Sequence, residues 1–188
     1  MQNFTSFHLV LLKSIVVSMI VIFSVAPVLA QHDHGESRQH SAHEHGVANL
    51  NLVFQDSDLQ IELLLPAADI SGFEHAPKTK EEKQRDAESI KLLEGVKNVL
   101  ALTDAAKCEL GSVKVVNSAN ESHDHGHSEY RAVYKFSCAK PMSLKKVDIE
   151  IFKSLTTLTK IRANTVVAGK QKQLTLSKEQ SSISFEQR

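Results

Sequence analysis

The 188-residue sequence has no tryptophan, two tyrosines and two cysteines. So few flat, polarisable rings argue against a sugar-binding or base-stacking module. Charge of one sign is missing as well, because 22 Lys and Arg side chains balance 22 Asp and Glu. A nucleic acid is thereby excluded as the main partner, since phosphate binding needs a basic footprint. The motifs of common catalytic sites are also absent: there is no H-E-x-x-H, no G-x-S-x-G and no phosphate-cradling glycine loop. The reading is therefore of a protein that is not an enzyme, with no catalytic residue to name.

One long apolar run is present. Leu9 to Val25 is broken only by Lys13 and a few serines, and Pro27-Val28-Leu29-Ala30 follows. This pattern predicts a secretory signal peptide over residues 1–30, cleaved after Ala30. The alternative is an uncleaved membrane anchor, but the run lies near the lower length limit for a spanning helix. The V-x-A ending and the abrupt polarity from Gln31 favour cleavage. Lys13 is the leader's single side-chain charge, so the exported chain carries a net charge of about −1. Its length suits one domain with a modest core. Export also bears on Cys108 and Cys138, which in an oxidising compartment predict one disulfide. Such a bond closes a loop of about thirty residues and stabilises by roughly 3–4 kcal/mol on the loop-entropy account. A thiol metal site is the alternative, disfavoured by the distance between the two thiols in sequence.

Residues 31–46 lack apolar periodicity and read as a flexible, histidine-rich, disordered arm. Order is expected from Val47. Val47 to Phe54 and Leu59 to Leu65 alternate in hydrophobicity about a turn at Gln55–Asp58, which predicts a β-hairpin. Residues 66–78 read as an irregular link. Thr79 with Glu82 forms a capping-box pattern, and Ile90, Leu93, Val96, Lys97 and Leu100 continue a helical stripe widened by Leu92 and Val99. One long helix is therefore expected from Thr79 to Leu102, its first half solvated and its second half packed on a sheet. Gly95 weakens that helix locally. Further strands are expected at Val113–Val116, Tyr130–Cys138, Val147–Phe152, Lys160–Val167 and Gln171–Leu176, with a tight turn at Ala168-Gly169-Lys170. The sum is a single α+β domain over residues 47–188. It has a mainly antiparallel sheet of about seven strands, one long helix and a polar loop at residues 117–129.

The chemistry lies in the histidines. Of ten in the chain, only His8 falls in the leader. His32, His34, His40, His43 and His45 lie in the arm, His123, His125 and His127 in the polar loop, and His75 in the link. The pattern H-x-H recurs at His32/His34, His43/His45 and His123/His125/His127. In extended backbone, residues two apart point to the same side, so their imidazoles can converge on one ion. Imidazole suits zinc, and also copper and nickel. Asp33, Glu44 and Asp124 between them can add oxygen ligands or orient the rings. The competing reading is a solvated low-complexity tract, which explains two separate carboxylate-mixed clusters less well. His75 stands apart, beside Glu74. By spacing alone it reads more readily as a hydrogen-bonded structural histidine than as a ligand.

Two segments carry a resemblance: Ala42-His43-Glu44-His45-Gly46-Val47-Ala48-Asn49-Leu50, and the stretch from Ile61 to Pro77 that holds Pro66-Ala67-Ala68-Asp69-Ile70 and Gly72-Phe73-Glu74-His75-Ala76-Pro77. They resemble the ZrgA-like histidine-rich periplasmic zinc-binding proteins, a family formerly catalogued as a domain of unknown function. The resemblance spans most of the exported chain. It implies a periplasmic protein that captures zinc and assists an ABC-type zinc importer or its binding protein. It also implies that His43, His45 and His75 are family-typical histidines, and that His123, His125 and His127 are a short form of the family's central loop. Metal buffering or resistance toward zinc, copper or nickel is a second reading. An envelope interaction module with an incidental histidine tract is a third, from a different class. No membrane partner is expected after cleavage.

Overall fold

A computed structural model of the chain describes residues 44–120 and 128–185. The expected leader, His32, His34, His40 and His43 of the arm, and His123, His125 and His127 lie outside the described residues.

The opening hairpin forms as the alternation predicts. Strands β1 (Val47–Gln55) and β2 (Asp58–Pro66) pair antiparallel from Asn49↔Leu64 to Gln55↔Asp58. Asp56 takes φ 53° in the turn between them, a left-handed conformation that Asp tolerates better than most residues. Ala48, Leu50, Leu52 and Phe54 of β1 and Leu59, Ile61, Leu63 and Leu65 of β2 are buried. The outer face stays polar: Asn51 donates to Glu62 at 2.9 Å, and Glu62 pairs with Arg131.

The link is less irregular than expected, because Ala67–Ile70 makes a single helical turn, α1. Helix α2 (Lys80–Glu94) starts with the expected capping box, in which Thr79 accepts from the Glu82 N–H and Glu82 accepts from the Thr79 N–H. The expected continuous helix to Leu102 is not observed. Gly95 adopts φ −76°, ψ 86° and closes α2, a short turn α3 (Val96–Val99) follows, and Leu100–Leu102 is strand β3. The apolar stripe is real, since Leu93, Val99 and Leu100 are all buried. Its tail is drawn into pairing with a strand distant in sequence, and that pairing overrides local helical periodicity.

A 3-10 turn (Asp104–Ala106) leads to β4 (Cys108–Asn117), longer than the expected Val113–Val116. A register shift between Leu110 and Ser112 breaks the alternation that would have revealed its first half. A second 3-10 turn (Ser118–Asn120) follows, and β5 (Glu129–Cys138) returns antiparallel to β4. The polar loop is thus shorter than residues 117–129, because both limits belong to strands. Cys108 and Cys138 occupy paired positions on β4 and β5 and form the expected disulfide.

Beyond a 3-10 turn (Pro141–Ser143), β6 (Lys146–Ile149) is shorter than expected. Residues Ile151–Ser154 form a helical turn, α4, where the reading placed the end of a strand. This turn buries Ile151 and Phe152 together, which an extended backbone would send to opposite faces. Strands β7 (Lys160–Val167) and β8 (Lys170–Leu176) form the expected hairpin, with Ala168 and Gly169 both at positive φ. A last strand, β9 (Ser182–Ser184), was not expected.

The described residues therefore hold two sheets rather than one. The larger has the order β4-β5-β2-β1-β7-β8, and the smaller β3-β6-β9. All pairs are antiparallel except β1–β7, which is parallel. The buried face of the large sheet, α2–α4 and the small sheet share one apolar core. Tyr134 on β5 ties the end of α2 to the sheet by donating to the Leu93 carbonyl at 2.6 Å.

Candidate metal-binding end of the sheet

Register decides which chain segments meet. The start of β1 lies beside the end of β2, through Asn49↔Leu64. The end of β2 lies beside the start of β5, through Pro66↔Glu129, and β5 begins beside the end of β4, through Asn117↔Tyr130. One end of the large sheet therefore receives the arm at Val47. It sends out the link at Pro66 and carries both attachment points of the polar loop.

Each segment is held there by specific bonds. Gly46 sits at φ 76° with its N–H donating to Asp69 Oδ2 at 2.7 Å. Its carbonyl accepts from Thr159 N at 2.9 Å, Lys160 N at 3.0 Å and Thr159 Oγ1 at 3.0 Å. A Cβ at this position would stand 3.0 Å from the Thr157 carbonyl oxygen, so glycine is required for both conformation and space. Glu44 pairs with Arg162 of β7 at 2.5 Å. His45, between these two anchors, is exposed.

The loop base is fixed as firmly. The Ala67 N–H donates to the Ser128 carbonyl at 2.9 Å, the Glu129 N–H to Ser118 Oγ at 2.9 Å, and the Ala119 N–H to Asn117 Oδ1 at 3.0 Å. Asn117 and Tyr130 both donate to Asp86 Oδ1 of α2, at 2.8 and 2.5 Å. Burial and the neighbouring Asp86 carboxylate push the Tyr130 hydroxyl up to about 12, so it remains a proton donor at any physiological pH. The first half of α2 is thus not uniformly solvated, as Asp86 and Ser89 are buried.

The link runs from α1 across the N-terminal end of α2. Ser71 donates to the Ala67 carbonyl at 2.9 Å, and Thr157 donates to that of Asp69 at 2.9 Å. Phe73 is buried under the guanidinium of Arg85, 5.4 Å from its ring centroid, and the His75 ring lies 5.3 Å from Phe73. His75 Nδ1 is 3.0 Å from the Ala76 carbonyl oxygen. Nε2 faces Glu82 Oε1 at 3.7 Å. The other carboxylate oxygen of Glu82 accepts from Lys78 N at 2.8 Å and Thr79 N at 3.0 Å. These hydrogen bonds, that from Thr79 first, hold the Glu82 carboxyl below the ordinary glutamate value.

Of the expected metal ligands, only His45 and His75 fall among the described residues. Among those residues, no group of three or more His, Cys, Asp or Glu side chains stands close enough to hold an ion. Glu74, the neighbour that spacing alone pairs with His75, has its Oε1 buried, and Glu82 Oε1 lies 3.7 Å from His75 Nε2. Glu82, Asp86 and Asp69 escaped the sequence reading as site residues. The signal for the first two was present: Glu82, Asp86 and Ser89 fall on the same helical face as Leu93, at spacings of four, three and four. No helix of the described residues is long and apolar enough to cross a membrane.

Residues 42–185 match the family described as ZrgA family zinc uptake protein. Among curated proteins, no sequence matches the chain.

Proposed function

The chain belongs to the ZrgA family of zinc uptake proteins, and from that premise we propose that it is exported to the periplasm and captures zinc there. On this reading the imidazoles of arm, link and loop gather the ion, and an ABC-type importer or its binding protein receives it. The observation that carries the reading is the convergence of three histidine-bearing segments on one end of the large sheet, anchored at Gly46, Ala67 and Ser128. A rigid frame with His-rich segments attached side by side raises the local ligand concentration without fixing one geometry. Zinc has little directional preference of its own, so such a set can hold it and still exchange it. Imidazole must be neutral to ligate, so affinity falls as pH drops below the ordinary histidine value of about 6.5.

Isothermal titration of residues 31–188 with zinc at neutral pH tests this, alongside a variant with His123, His125 and His127 changed to Ala. Binding tighter than micromolar, with lower stoichiometry in the variant, is expected. Weak binding identical in both proteins would leave an envelope interaction module as the better account. Parallel titrations with copper and nickel test selectivity. Expression under zinc starvation, as against zinc excess, separates uptake from buffering.

A further inference from the structure

We draw no further inference here: the strongest candidate, the buried side-chain cluster of Asp86, Asn117, Ser128 and Tyr130 at the base of the polar loop, belongs to the site already described, where its hydrogen bonds are spent on holding the roots of that loop.

Discussion

The Tyr130 hydroxyl donates to Asp86 Oδ1 at 2.5 Å, which ties the strand leaving the polar loop to the helix whose first turn carries Glu82. Asn117, on the strand entering that loop, donates to the same oxygen at 2.8 Å. One buried carboxylate thus clamps both roots of the loop. Tyr130→Phe removes one of two bonds to Asp86. It should cost about 1–3 kcal/mol by leaving buried polar surface less satisfied, and it should speed amide exchange at Ser118–Asn120. Urea denaturation and hydrogen exchange check both. Unchanged exchange would mean that the remaining bonds at the loop base suffice.

Gly46→Ala forces a Cβ toward the Thr157 carbonyl at a residue held at φ 76°. A loss of about 1–3 kcal/mol is expected for an L side chain in this conformation. Denaturant midpoints measure it, and a neutral result would show that the turn before β1 can rearrange.

Replacement of residues 121–127 by a short Gly-Ser linker should leave the sheet folded, because the bonds at Asn117, Ser118 and Ser128 lie outside the cut. Zinc stoichiometry should fall. Removal of all of residues 117–129 is a different experiment: it takes Asn117 and Glu129 from paired strands and should destabilise the domain. Circular dichroism with zinc titration distinguishes the two.

Reduction of Cys108–Cys138 opens a cross-link between residues separated by 30 positions. Loop-entropy arguments give a loss of roughly 3–4 kcal/mol. An unchanged thermal midpoint under reductant would place the stability of the β4–β5 pair elsewhere.

Glu82 supplies a pH dependence of known sign. Its carboxyl is held below the ordinary value by hydrogen bonds from Thr79 and Lys78. The folded state therefore binds this proton less readily than the unfolded chain, and the capping contribution is fully present above the unfolded glutamate value of about 4.3. It is lost as pH falls through the lower folded value. Carboxyl-carbon NMR titration of Glu82 should show the depressed midpoint, and an ordinary glutamate midpoint would mean that the Thr79 and Lys78 N–H groups do not hold the carboxylate in solution.

The hairpin β1–β2, the capping box at Thr79, the disulfide and the β7–β8 turn were all legible in the sequence. Each is set by residues close together in the chain or, for the cysteines, by chemistry that leaves one partner. What failed was governed by pairing over long separations. Leu100–Leu102 carries a helical pattern yet forms a strand, because Ile149 and Val147 offer an edge that the local sequence does not reveal. Ile151 and Phe152 turn helical to bury both side chains, and the register shift in β4 hides a strand from any test of alternation.

The candidate site divides in the same way. Which side chains are candidates for zinc was read from the sequence alone, since imidazole chemistry and H-x-H spacing require no fold. That the arm, the link and the loop attach at one end of one sheet, and that Glu82 lies 3.7 Å from His75, was decided only by tertiary structure. Strand register and the direction in which a helix presents its first turn bring together residues that spacing along the chain leaves apart.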